Sequence, residues 1–140
     1  MAKNKLLVLF DLNILLDVLQ ERQDFYAASA LLLAHAETGA IQGWLAAHSV
    51  TTLFYLLAKD KSPELARVTL TSLLQFLKVA PVDQNTIEQA LNFPYRDFED
   101  AVQMAAAIQI RADYLATRNA RDYQPAPLRV VQPIDLLAVL

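Results

Sequence analysis

The stretch FEDAVQMAAAIQIRADYLATRNARDY, Phe98 to Tyr123, changes periodicity twice. From Asp97 to Arg111 apolar residues recur at helical spacing, and the alanines leave a face that packs closely on a sheet. Ala112 to Thr117 (ADYLAT) reads as a strand and the polar TRNARDY as the loop after it. The rest of the chain repeats this alternation. Lys5 to Phe10 is a short continuous apolar run, as expected of a strand buried on both faces in a parallel sheet. Leu12 to Gln20 follows at helical spacing. Asp24 is read as the cap of a helix that ends at Gly39, and Ile41 to Ala46 as a second strand. Ser49 or Thr51 is expected to open the helix TTLFYLLAK. Ser62-Pro63-Glu64 is a helix start, with that helix running to about Leu77. Lys78 to Val82 reads as a strand, and Asp83 opens a helix that Pro94 ends. Leu128 to Val131 is a last strand before Pro133-Ile134-Asp135 and a short helix. Strands alternating with helices predict one α/β/α domain over residues 1–140, around a mostly parallel sheet of about five strands.

Composition narrows the function. The 140 residues are 55% apolar and 19% charged, which predicts a folded globule. There is no cysteine, so disulfides, a Cys nucleophile and Cys-based metal sites are excluded. Only two glycines occur, Gly39 and Gly43, so no glycine-rich phosphate loop is available. No stretch approaches a membrane span of about 20 residues. Lys3 and Lys5 precede an apolar run too short for a signal peptide, and a cytoplasmic location is expected. The net charge of −3 argues against binding nucleic acid through a global basic field, so any such contact has to be local or helped by metal ions.

Three acids fall just past strands or at a helix start beside them. Asp11 follows the first strand, Asp100 lies in the first turn of the helix before ADYLAT, and Asp122 lies in the loop after it. In a parallel sheet all three reach the crevice at its carboxyl edge. Clustered carboxylates are costly unless a cation neutralises them, and Mg²⁺ or Mn²⁺ suits oxygen ligands. Each acid also has a plain structural reading: Asp11 as an N-cap with Asn13, Asp97, Glu99 and Asp100 as acids favoured at a helix N-terminus, Asp122 as a turn residue. Arg118 and Arg121 are candidates for contact with a phosphate, against a reading as a solvated face. His35 and His48 fit no nucleophile–base pattern. Trp44 and Met104 read as core.

These residues resemble a known family. VLFDLNILLDVL, HSVTTLFYLL and FEDAVQMAAAIQIRADYLATRNARDY are similar, in order and spacing, to the PIN domain, and VVQPIDLL resembles its end. The likeness is to VapC-type toxin ribonucleases, in a subgroup with FED and TRNxxD motifs. It implies a metal-dependent ribonuclease of RNA, with the acids holding Mg²⁺ or Mn²⁺ and activating a water. On this resemblance Asp11, Asp100 and Asp122 are catalytic and metal-binding, with Glu99 a further ligand. Asn13, Thr51 (or Thr52), Thr117 and Asn119 support them, and Arg118 and Arg121 contact substrate. A homodimer and an antitoxin-like protein are the implied partners, the segments LLDVL and TTLFYLLAK being read as exposed apolar surface. One departure stands out: the third helix carries Phe54 where the family often has a glutamate. The competing reading is therefore a PIN-like domain that has lost catalysis and binds nucleic acid or protein. FDLNILLD also resembles the start of haloacid-dehalogenase phosphatases, but Asn13 and Leu15 replace the residues needed. A receiver domain needs a late lysine, and none follows Lys78.

Overall fold

Alternation along the first strand, β1 (Leu7–Phe10), sorts the core into two layers. Val8 and Phe10 join the apolar cluster on one side, Leu9 the cluster on the other, and all three are fully buried. In the computed structural model, which describes residues 5–140, β1 is the centre of a five-stranded sheet. Lys3 lies outside the described residues. The other strands are β2 (Gln42–Ala46), β3 (Leu77–Ala80), β4 (Tyr114–Ala116) and β5 (Arg129–Val131). Their order is β3-β2-β1-β4-β5 and every neighbouring pair is parallel. Sheets of this kind are covered on both faces. Helices α1 (Leu12–Leu19), α2 (Tyr26–Glu37), α3 (Ala47–Asp60), α4 (Pro63–Leu73) and α7 (Pro133–Leu137) take one side. Helices α5 (Gln84–Ala90) and α6 (Phe98–Gln109) take the other. This is the α/β/α architecture expected.

The order has a functional consequence. From β1 the chain steps outward to β2 and β3, then returns to β4 on the far side of β1 and steps outward again to β5. The crevice between β1 and β4 is therefore the switch point, where such folds hold their ligands. Asp11 and Thr117 are the first residues past those two strands. Asp11 N–H donates to Ala116 O at 2.9 Å and closes the floor of the crevice.

Local signals set the helix ends where a side chain does the capping. Ser62 Oγ accepts from Leu65 N–H, Asp97 from Glu99 N–H, and Asp83 forms a reciprocal capping box with Thr86. Gly39, at φ +86°, ends α2 with Ala40 N–H on His35 O and Gly39 N–H on Ala36 O. Elsewhere the expectation fails. Asp24 caps nothing, and α2 begins after Phe25 without a side-chain cap. Helix α3 begins at Ala47, before Ser49 and Thr51, because β2 passes into it directly, and Thr51 and Thr52 hydroxyls turn back to His48 O. Helix α4 stops at Leu73 because the following segment is needed as β3. LLDVL is not an exposed face, since Leu15 and Leu16 are core residues. On TTLFYLLAK, Tyr55 and Leu56 are exposed. Trp44 is only half-buried, with its Nε1–H on Gln42 Oε1 and Lys78 over its ring. No helix among the described residues is long and apolar enough to cross a membrane.

Gly43 shows how tightly β2 is packed. A Cβ there would lie 2.6 Å from Leu77 Cδ2, 2.7 Å from Phe10 Cε2 and 3.0 Å from Ala36 Cβ. Phe10 and Leu77 are both buried, so a shift of either must be absorbed inside the core. Gly43→Ala is expected to destabilise the domain by about 1–3 kcal/mol, the usual cost of overpacking. Urea unfolding measures it, and an unchanged midpoint would show that the layer relaxes freely.

Candidate functional site

Asp11 caps α1, with its Oδ1 accepting from Asn13 N–H at 3.3 Å. That role alone would leave the other oxygen in water. Instead Asp11 is 4% exposed and receives three further donors, from α6 and from the loop after β4. Thr117 Oγ1 donates to Oδ2 at 2.6 Å, and Gln103 Nε2 donates to Oδ1 at 3.1 Å. Tyr123 OH lies 3.4 Å from Oδ2. The same hydroxyl donates to Asp100 Oδ1 at 3.2 Å, so one buried phenol stands between the two carboxylates. Thr117 Oγ1 in turn accepts from Asn119 N–H at 3.1 Å, which fixes the direction in which the threonine donates.

The electrostatics follow from this crowding. Burial, and then the negative charges of Asp11 and Asp97, push the Asp100 carboxyl up to about 7; the Tyr123 hydrogen bond opposes the shift and Asp122 adds a little to it. Burial and the carboxylates of Asp11 and Asp100 raise the Tyr123 phenol, which therefore stays protonated. His48, in the first turn of α3, faces the rim with Nε2 3.2 Å from Glu99 O. Burial lowers its pKa against the opposing pull of Glu99, Asp11 and Asp97.

A raised acid destabilises the fold once it ionises. Metal-free stability from Asp100 is present below its unfolded value near 3.8 and is lost as pH rises through about 7. His48 works the opposite way, losing stability as pH falls below its unfolded value of 6.5. The difference in melting temperature between wild type and Asp100→Asn isolates the carboxyl. Wild type is expected to lose ground to the variant between about pH 4 and pH 7. A pH-independent difference would mean that Asp100 is not crowded.

The residues singled out in the sequence divide into two groups. Asp11, Asp100, Asn13 and Thr117 meet at the switch point, and Asn119 supports Thr117 through its backbone. Asp122, at the end of a 3-10 turn (Ala120–Asp122), is exposed on the rim with Arg121, and Glu99 faces outward from α6. Thr51 is exposed and bonds only to His48 O. Arg118 is drawn off toward α1: its Nε lies 3.3 Å from Asp17 Oδ2 and its guanidinium 4.1 Å from the Phe25 ring centroid. Phe54 packs on the apolar core with Arg67 over its ring, so no carboxylate replaces the absent glutamate from that position. Beside the acids, Arg118, Asn119, Arg121, Asp122 and Gln132 line a polar hollow of about 350 Å³. Gln103, Tyr123 and His48 were not assigned a role in the sequence. A lone amide on the alanine face of α6 was the available signal, because a buried amide requires partners.

No group of three or more His, Asp or Glu stands close enough to close on one ion among the described residues. The expected four-acid set is thus not assembled as a cage. The pair Asp11–Asp100 still suits a hard cation that keeps most of its waters, as Mg²⁺ does, because its crowded charge lacks a neutralising partner.

A family model described as PIN domain matches residues 7–121. The chain belongs to the PIN-domain family. Solved structures agree with that membership for this PIN domain. A toxin–antitoxin complex from Klebsiella pneumoniae is 25% identical, with a TM-score of 0.68 over 90% of this chain and 97% of that one. FitAcB from Neisseria gonorrhoeae is 20% identical, with a TM-score of 0.72 over 91% and 98%. Mycobacterium tuberculosis VapC20, a toxin that cleaves the sarcin–ricin loop, is 15% identical, with a TM-score of 0.62 over 77% and 86%. The last two show likeness of fold. No curated protein matches the chain by sequence.

Proposed function

We propose that this PIN domain is a Mg²⁺- or Mn²⁺-dependent endoribonuclease that hydrolyses RNA phosphodiester bonds as the toxin of a toxin–antitoxin pair. The observation that carries the reading is the carboxylate pair at the switch point, buried Asp11 and half-buried Asp100, bridged by the Tyr123 hydroxyl, with Asp100 pushed up to about 7. The structural relatives include a toxin–antitoxin complex and a toxin that cleaves the sarcin–ricin loop, which supports the class. Asp11 and Asp100 would hold the ion, with Asp122 and Glu99 adding negative charge at the rim. Held there, such an ion would supply a bound water of lowered pKa and positive charge facing the phosphate oxygens. Thr117 and Gln103 keep Asp11 oriented. Arg121, exposed in the polar hollow, would meet a phosphate on this reading. Arg118 holds the loop by its grip on Asp17.

Phe54 in the core favours a second reading, a PIN domain that binds RNA or protein without cutting. The test is cleavage of a mixed single-stranded RNA pool with Mn²⁺, wild type beside Asp11→Asn. Cutting by wild type alone, stopped by EDTA, supports the nuclease. No cutting, and no rise of melting temperature with Mn²⁺, supports the binding module. An antitoxin-like protein and a second copy of the chain are the partners this reading implies. Light scattering over a wide concentration range decides the homodimer.

A further inference from the structure

We infer that Tyr123 and Gln103 are positioning residues, a neutral clamp that holds Asp11 and Asp100 side by side. The role of the clamp in metal binding rests on the nuclease reading above; its existence does not. Three elements converge on it: the start of α1, the face of α6 and the loop after β4. Gln103 lies three positions beyond Asp100 on α6, so both side chains share one face. Its Nε2 donates to Asp11 Oδ1 at 3.1 Å and reaches Tyr123 OH at 3.3 Å. The Tyr123 hydroxyl has one proton and two carboxylate acceptors, Asp11 Oδ2 and Asp100 Oδ1. Receiving from Gln103 leaves that proton free for the acids.

Both residues are almost fully buried, Tyr123 at 0% and Gln103 at 3% exposed. The commitment of Gln103 is costly, because its Oε1 is buried without a hydrogen-bond partner. Neutrality is the point of the arrangement. A lysine or arginine between the acids would cancel the charge that draws a cation. A phenol and an amide orient the carboxylates and leave the negative charge in place. The Tyr123 ring is held from the side by Tyr95, with centroids 5.7 Å apart, so removing the hydroxyl need not move the ring.

Two measurements test the clamp. The first is a metal-free urea unfolding cycle of Tyr123→Phe, Asp100→Asn and the double variant. The unfolding constant of the double variant is expected to differ at least about fivefold from the product of the single effects. Independence of the two changes would overturn the clamp, whether or not the chain cuts RNA. The second is Mn²⁺ titration by calorimetry beside cleavage kinetics. Tyr123→Phe is expected to weaken Mn²⁺ about tenfold and to lower kcat with KM unchanged. Wild-type affinity and kcat in that variant would overturn the positioning role. Gln103→Met cycled with Asp11→Asn repeats the first test should Tyr123→Phe fail to fold. Wild type that binds no Mn²⁺ and cuts no RNA removes the nuclease reading, and the unfolding cycle then decides the clamp.

Discussion

Asp11→Asn is expected to fold as wild type does and to lose metal-dependent RNA cleavage by at least about a hundredfold. The fold survives because an asparagine keeps the shape and each of its atoms finds a partner. Its carbonyl can take the place of Oδ1, accepting from Asn13 N–H and Gln103 Nε2. Its NH₂ then faces the hydroxyls of Thr117 and Tyr123, both of which can accept. The charge does not survive. One of the two carboxylates at the switch point is gone, and with it the second-largest reason why Asp100 is pushed up to about 7. The Asp100 carboxyl therefore moves back toward the ordinary range, which a side-chain NMR titration reads directly. Melting temperature without metal is expected to hold or rise, since a repulsion has been removed. Unchanged cleavage in this variant would place the reaction elsewhere on the molecule.

Asp17→Ala is expected to cost about 3–5 kcal/mol, the usual result of orphaning one side of a buried ion pair. Asp17 is fully buried and lies 3.4 Å from Arg22 Nη1 and 3.3 Å from Arg118 Nε. Burial raises its carboxyl more than Arg118 and Arg22 lower it. The pair is thus an organising contact more than a source of stability. Truncating Asp17 leaves the buried Arg118 Nε with no counter-charge, and that nitrogen already lacks a well-aligned hydrogen bond. The loss corresponds to roughly 10 °C in melting temperature for a domain of this size. Cleavage should fall with it, because Arg118 anchors the loop that carries Asn119 to Tyr123. A loss below about 1 kcal/mol in urea unfolding would show that Arg118 swings out to water at little cost.

Features legible in the sequence are those written within a few residues. Ser62, Asp83 and Asp97 announce their helices because a cap is a local contact. Asp11 and Asp100 stand out because each sits at an element end, and the parallel sheet brings those ends together. What stayed hidden depends on partners far along the chain. Asp17 reads as one polar residue in a leucine-rich helix until β4 places Arg118 over it. Arg118 reads as a phosphate contact for the same reason. Gln103 draws no reading at all, because its partner Asp11 is 92 positions away. Asp24 and Ser49 fail as helix starts because the chain around them is steered by neighbouring elements and not by a side-chain cap.

The distances along the chain have a further consequence. Asp11 is bonded to Thr117 across 106 positions and to Tyr123 across 112. A chain still being made can fold β1 and β2 early, since domains fold from the N-terminal side as they emerge. It carries no site until the stretch through Tyr123 has left the ribosome, because half of the clamp does not yet exist. On the nuclease reading, a chain built in this order has an incomplete site for most of its own synthesis.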